Sequence, residues 1–245
     1  MSTSNFLRPH LSDFRTLTFA FNGWSNIVSM LLHWPGVLKK SEFNVIKIYH
    51  VPGTRSLRVI WVCEELNVPY ELETISFSAE FRESPEWRKI NPVGKVPAMT
   101  DGELTLFESG AMVQYILDRY GEGKLQPKSA TPEHALYLQW SWFAEATFAR
   151  PLGEIVNHTR VFGESGVSEK AIEEMRTRSG LCLKAVDDAI TDNEYIAGEF
   201  SAADIMLGYS IFLCERLAPS DGCENAKAYW ARLQNREACK VALNS

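Results

Sequence analysis

Side chains able to do chemistry are spread thinly along this 245-residue sequence. Five cysteines, Cys63, Cys182, Cys214, Cys223 and Cys239, lie far apart, form no C-x-x-C and are odd in number. That pattern predicts neither a disulfide framework nor a zinc knuckle, and it points to a reducing compartment. His10, His33, His50, His134 and His158 show no H-x-x-x-H spacing, so no metal site is expected. What remains is a set of hydroxyl and carboxyl groups where helices are expected to start. Thr54, with Arg55 and Ser56 beside it, follows Pro52-Gly53; Ser109 follows Glu108; Ser201-Ala202-Ala203-Asp204 opens an apolar run. The first N–H groups of a helix lack partners within it, so such positions suit caps and anion sites alike. Ser201 and Asp204 have capping-box spacing, the carboxylate reaching back to the cap's N–H, and are read as structural. On their own, Thr54 and Ser109 read as helix caps.

These residues need elements to hold them. Val45-Ile46-Lys47-Ile48-Tyr49 is β-branched and aromatic, the composition of a buried strand, and it ends at Pro52-Gly53. Leu57, Ile60, Trp61 and Leu66 then recur at helical spacing, with Glu64 and Glu65 expected on a solvated face. A second strand is expected over 70–75, and a short helix from Ser84-Pro85-Glu86, a cap followed by Pro. Asp101-Gly102 predicts a hairpin, since Gly tolerates the positive φ of the turn. Pro97 should stand at the mouth of the first hairpin strand, where a missing N–H costs no ladder bond, with a cis bond expected. Met112, Val113, Ile116 and Leu117 predict a helix over 109–120 stopped by Gly121. The order is βαβαββα. Beyond a Gly- and Pro-bearing linker everything reads as helical: one long segment from Thr131 to about 157, one from Ser168 to about 188, and one buried helix over 202–217.

Composition narrows the function classes. With 45% hydrophobic and 23% charged residues the chain is globular, neither disordered nor collagenous. Its 25 basic against 31 acidic residues, net −6, give no general nucleic-acid binder. The first 44 residues stand apart. From 16 to 38 no residue is charged unless His33 is protonated, yet Asn22, Ser25, Asn26 and Ser29 interrupt the stretch while Leu17, Phe21, Trp24, Val28 and Leu31 keep helical spacing. An amphipathic or targeting extension, or a poorly ordered one, fits better than a membrane span.

Together, Pro52-Gly53-Thr54, Asn91-Pro92-x-Gly-Lys-Val-Pro97, Glu108-Ser109 and Phe200-Ser201-Ala202-Ala203-Asp204-Ile205 resemble the soluble glutathione transferase superfamily over about residues 45–240. The turn and the Ser-Ala-Ala-Asp box are most similar to bacterial and fungal members that use a hydroxyl near the first helix. The resemblance implies an α/β thioredoxin-like N-terminal domain at 45–123, a linker at 124–131 and an all-α C-terminal domain at 132–245, after a 1–44 extension. It implies glutathione as co-substrate with no resident cofactor, a hydrophobic electrophile as second substrate, a homodimer, and a cytoplasmic location, or an organelle reached through residues 1–44. Nucleic acid is not expected as a partner, and membrane contact only through that extension.

By the same resemblance Thr54 stands where relatives carry the hydroxyl that stabilises the glutathione thiolate, with Ser56 and Arg55 as rivals. Ser109 would take the γ-glutamyl carboxylate and Glu108 the ammonium beside it. Val96, ahead of Pro97, would pair its backbone with the cysteinyl unit, and Lys95 would face the glycyl carboxylate. Trp140, Phe143 and Arg150 are candidates for the electrophile wall. Conjugation is the leading activity; glutathione-dependent lyase or ether cleavage, isomerase, dehalogenase and peroxidase chemistry, or a non-catalytic binding role, are the alternatives.

Overall fold

Alternation in the first strand decides where the sheet faces. In β1 (Ile46–His50) Ile46, Ile48 and His50 are buried while Lys47 and Tyr49 are partly exposed. The strand is central, pairing in parallel with β2 (Tyr70–Thr74) and antiparallel with β3 (Ala98–Asp101). β3 pairs antiparallel with β4 (Leu104–Phe107) around the expected Asp101-Gly102 turn, and the sheet order is β2-β1-β3-β4. This computed structural model describes residues 45–166, 168–219 and 221–245; the expectations for residues 1–44 fall outside them.

The crossover from β1 to β2 is α1 (Ser56–Leu66). Two short helices follow β2: α2 (Ala79–Glu83) and α3 (Pro85–Ile90). The sequence pattern predicts only the second. Both start on serine, with the Ser78 and Ser84 hydroxyls accepting the N–H of Phe81 at 3.1 Å and Trp87 at 3.2 Å. Pro97 follows a cis Val96–Pro97 bond and leads into β3 as expected. α4 (Ser109–Tyr120) completes this half and stops at Gly121.

The second half is helical. The long segment from Thr131 consists of α5 (Pro132–Trp142), a π-helical stretch (Phe143–Phe148) and α6 (Ala149–Gly166). It runs past the expected end near 157 and is interrupted by Gly163 at φ 64°. α7 (Glu169–Ala189) starts on Ser168. α8 (Ala202–Leu217) has the predicted bounds and is almost wholly buried at its start. α9 (Glu224–Gln234) and α10 (Glu237–Leu243) follow.

Residues from both halves contribute to one apolar core within the compact unit Asn44–Ser245. α8 comes so near α1 that a Cβ on Gly208 would lie 2.8 Å from the Trp61 ring and 3.3 Å from Trp230. Only glycine permits that approach. Trp61, Trp87 and Trp230 are all buried, as their spacing suggests. Glu64 and Glu65 are not on a solvated face. Glu65 accepts the Trp61 indole N–H at 2.9 Å and holds Arg236 of the α9–α10 junction in a two-pronged pair at 2.7 Å; Glu64 accepts the Tyr70 hydroxyl. Helical spacing reports which side of α1 these acids occupy, and a partner 171 residues away decides that this side is covered. Among the described residues no helix is long and apolar enough to cross a membrane.

Candidate functional site

The turn between β1 and α1 is built on glycine: Gly53 has φ +74°, a conformation that other residues resist. It brings three hydroxyl and imidazole groups together. Thr54 donates its O–H to the Val51 carbonyl at 2.7 Å, and its Oγ1 lies 2.9 Å from Ser56 Oγ. Ser56 Oγ lies in turn 2.8 Å from His50 Nδ1. Thr54 is partly exposed; Ser56 and His50 are buried. Burial holds the His50 imidazole below its ordinary pKa, although the main chain at Ser245 works the other way, so the ring is neutral at pH 7. The N-cap position of α1 is Arg55, and no side chain caps the helix there.

Behind the turn lies a buried cation that the sequence does not flag. Arg58, fully buried on α1, forms an ion pair with Glu145 of the π-helical stretch. It also donates to Ser109 Oγ at 3.2 Å on α4, and to Met206 O at 3.1 Å and Ser210 Oγ at 3.2 Å on α8. Burial pulls its pKa down and Glu145 opposes that shift; a guanidinium stays charged regardless. Glu145 also lies 3.3 Å from Arg55. Burial raises the Glu145 carboxyl, and the charges of Arg58, Arg55 and Lys95 outweigh it, so the group ends below its usual value. A π-turn re-phases the residues that follow it and is common at functional sites; here it carries Glu145 to three cations.

The residues predicted for glutathione are therefore linked. Thr54 sits at the head of α1, Ser109 is reached by Arg58, and Lys95 acts electrostatically on Glu145. Ser109 opens α4 and is buried. Because its oxygen accepts from Arg58, its own O–H remains to be donated. Glu108 is exposed at φ 76°, ψ 106°, a strained backbone for a non-glycine residue. Strain of that kind costs of order 1–3 kcal/mol and gathers at ligand clamps. Val96 lies outside the β3 ladder, and among the described residues its backbone takes no main-chain partner. Asn91, whose Nδ2 donates to Lys95 O at 2.8 Å, braces this loop.

The three residues predicted for the electrophile wall fall in two places. Trp140 and Phe143 pack on each other edge to face, 5.2 Å between ring centres, and against the core. Arg150 lines a 770 Å³ groove between α6 and α7 with Glu154 and Arg178. An amphipathic pattern marks the buried side of a helix without saying what it is buried against. What the helical half brings to the turn is different. Arg216 reaches within 3.3 Å of a Cβ on Gly53, and Gly153 leaves space beside Arg55. Tyr209 is buried among Arg55, Arg58, Glu145 and Arg216, with Arg58 stacked 4.9 Å over its ring. Glu108 and Glu145 also line a 670 Å³ cavity whose walls are mainly apolar, with Val113, Tyr137, Leu138 and Trp142.

Ser201 and Asp204 form the expected capping box at α8. Asp204 is wholly buried and accepts from Ser201 N at 2.7 Å, Ser201 Oγ at 3.1 Å, Ile196 N at 2.9 Å and Tyr229 Oη at 2.6 Å. Burial raises its pKa against the pull of those four bonds. Among the described residues no His, Cys, Asp and Glu cluster could hold a metal ion.

Comparison with known proteins agrees with this geometry. The family model described as "Glutathione S-transferase, N-terminal domain" matches residues 44–118. Glutathione S-transferase 3 of Schizosaccharomyces pombe is 29% identical over 213 residues, covering 81% of this chain and 86% of that protein. The probable glutathione S-transferase GSTF1 of Oryza sativa subsp. japonica is 29% identical over 197 residues, covering 77% and 90%. A theta class glutathione S-transferase from Xanthomonas axonopodis pv. citri, solved with glutathione bound, superposes with a TM-score of 0.72 at 28% identity, covering 82% of this chain and 98% of that one. The fold also matches transferase URE2P6 of Phanerochaete chrysosporium, TM-score 0.75 at 23% identity, covering 82% and 96%. A thioredoxin-like sheet followed by helices, matched over residues 44–118 by that N-terminal domain model and along most of the chain by these relatives, makes the chain similar to the glutathione S-transferases.

Proposed function

We propose that the chain is a glutathione transferase which binds glutathione across the β1–α1 turn, the Lys95–Pro97 loop and the head of α4. It ionises the thiol beside Thr54 and presents the sulfur to an apolar electrophile. Ser109 and the free N–H groups of α4 hold the γ-glutamyl carboxylate, and Glu108 takes the ammonium. Val96 pairs with the cysteinyl unit and Lys95 faces the glycyl carboxylate. Gly153, Tyr209 and Arg216, which surround the turn from the helical half, replace Trp140, Phe143 and Arg150 as the proposed seat of the electrophile.

The observation that carries this reading is a partly exposed Thr54 hydroxyl at a helix head that no side chain caps. Bringing a thiol from about 8.5 to about 6.5 requires favouring the anion by about 2.7 kcal/mol. A charge-assisted hydrogen bond supplies roughly 1.5–3 kcal/mol and the helix dipole about 0.3–1 more. Supply and positioning of thiolate then account for the acceleration. Titrating the thiol of bound glutathione by its ultraviolet difference absorbance tests this: a pKa well below that of free glutathione supports it, and an unchanged one removes it.

One observation favours the binding-only alternative, since the Thr54 O–H is donated to Val51 when no ligand is present. The same titration separates the two readings. A homodimer is proposed as well: Leu138 and Trp142, one turn apart, are exposed on α5, Trp142 by 68%, an apolar face that a second copy of the chain covers. Sedimentation at low and high concentration checks it. A cytoplasmic location and a role in detoxification are proposed on the family's account, in keeping with five unbridged cysteines.

A further inference from the structure

A buried tyrosine hydroxyl usually finds a hydrogen-bond partner. Here Tyr137 donates to Gln114 at 2.9 Å, Tyr115 to Asp101 at 2.7 Å and Tyr229 to Asp204 at 2.6 Å. Tyr209 on α8 is the exception. It is 6% exposed, and its hydroxyl has no hydrogen-bond partner among the described residues. Nor is that oxygen among the polar atoms sealed from solvent without a partner, so it opens onto reachable space. The ring itself is held in place, with Arg58 stacked 4.9 Å over it and Phe212 centred 6.3 Å away. Burial raises its pKa; Arg55, Arg58 and Arg216 pull the other way without reversing the shift, so the phenol is protonated at pH 7. Seven residues further along the same face of α8, Arg216 reaches within 3.3 Å of a Cβ on Gly53. Arg216 rests on the Phe212 ring at 5.3 Å and has no carboxylate partner among the described residues. From α6, Gly153 leaves room in front of Arg55: a Cβ there would meet only Arg55 Nη2, at 3.9 Å. An O–H with nothing to donate to, a cation with no counter-ion and free space thus adjoin the turn that carries Thr54.

We propose that Tyr209 is a catalytic residue for the second substrate, its O–H donating to an electrophile oxygen that gathers negative charge as sulfur attacks, and that this selects carbonyl-conjugated alkenes. The inference rests on the glutathione reading above. The thiol proton leaves to solvent and the thiolate forms a C–S bond at the β-carbon of the alkene. The π pair of the alkene moves toward the carbonyl, giving an enolate whose oxygen carries the charge. Tyr209 donates a hydrogen bond to that oxygen and keeps its own proton; solvent then protonates the α-carbon, replacing the proton the thiol released. A donor aimed in advance at the atom where charge develops costs no reorganisation during the reaction, and Arg58 stacked on the ring supplies that aim. Arg216 adds a positive field without a bond of its own. An alkyl halide, by contrast, puts its developing charge on a weak hydrogen-bond acceptor and draws little from a phenol. The same apolar seat thus discriminates by what the electrophile does with its electrons, beyond its size.

The test is Tyr209→Phe in the full chain, which keeps the ring under Arg58 and removes only the oxygen. Glutathione conjugation is followed with two probes, cyclohexenone, whose carbonyl is conjugated to the alkene, and benzyl chloride, which has no oxygen. Wild type should accelerate the cyclohexenone addition above the rate of free glutathione. The variant should lower kcat/KM for cyclohexenone by about 10- to 100-fold and shift preference toward benzyl chloride by about tenfold or more. Its melting midpoint, glutathione affinity and bound-thiol pKa should match wild type, a combination that a merely structural role for the hydroxyl does not give. If wild type does not accelerate the cyclohexenone addition, or if the variant slows both probes alike, the proposal is wrong, while a lowered pKa of bound glutathione leaves the glutathione reading standing. A bound-thiol pKa that rises in the variant also overturns it, since Tyr209 would then serve the sulfur. If the wild-type bound thiol titrates as it does in free solution, the glutathione reading itself fails and the role of Tyr209 with it.

Discussion

Among the helices that begin beside a hydroxyl, α8 and α1 are finished in opposite ways. At α8, Ser201 and Asp204 close the box, and the carboxylate collects four donors in a site with no solvent exposure. At α1, Thr54 and Ser56 bond to each other, to His50 and to one carbonyl, and no side chain caps the helix. The first head is saturated and buried; the second is partly exposed and keeps its positive end uncompensated. Similar residues thus serve stability in one place and leave room for an anion in the other. What differs is whether a carboxylate accepts N–H groups at the helix head, as Asp204 does, or is taken up by arginines, as Glu145 is.

The contrast can be broken most forcefully at Asp204. Asp204→Ala strands the Tyr229 hydroxyl and two backbone N–H groups, and should lower unfolding free energy by about 3–5 kcal/mol in urea. A loss of only about 0.5–2 kcal/mol, the cost of an ordinary cap, would mean the two heads are alike. Thr54→Ala should do the reverse, leaving stability and glutathione affinity nearly intact while conjugation falls by roughly 10- to 150-fold, the equivalent of about 1.5–3 kcal/mol. Steady-state kinetics beside a melting curve checks both halves of that statement.

A third head, that of α4, lies between these extremes, because Ser109 is buried yet keeps a donor. Ser109→Ala or Glu108→Ala should weaken glutathione binding about tenfold, measured by titration calorimetry, with little change in the rate from the bound state. A further effect is electrostatic and belongs to Glu145. Its carboxyl is held below the usual range, so on acidification the unfolded chain takes up the proton first. Stability from this group is full above the ordinary glutamate pKa of about 4.3 and is lost as pH falls through that value and below. The urea midpoints of wild type and Glu145→Gln should therefore differ most at neutral pH and converge in acid.

Much of this was legible locally. Ser84-Pro85, Asp101-Gly102, Gly121 and Ser201-Ala202-Ala203-Asp204 each carry their turn or cap chemistry within four residues, and the elements they bound are where the sequence predicts. Signals that depend on a distant partner were not legible. Arg58 reads as an ordinary helix charge, and only the convergence of α4, α8 and the π-helical stretch makes it a buried hub. Nothing in Phe143-Ala144-Glu145-Ala146-Thr147-Phe148 announces a π-turn, because the stretch holds no glycine or proline to mark the change of hydrogen-bond register. His50 stands isolated in the sequence, and its partner Ser56 is visible only once the turn folds back. For Trp140, Phe143 and Arg150, period alone marks a side of the helix and gives no destination.

The Arg58 hub has a mechanical consequence. Its guanidinium joins the sheet-bearing half to α8 and the π-turn in the middle of the seam, so prising the halves apart would strand an unpaired cation in apolar surroundings. A hinge is thereby denied to this architecture. Adaptation to cargoes of different shape falls to rotamers at the rim, and calorimetry of the 44–245 unit should record one cooperative melting event, both halves going together.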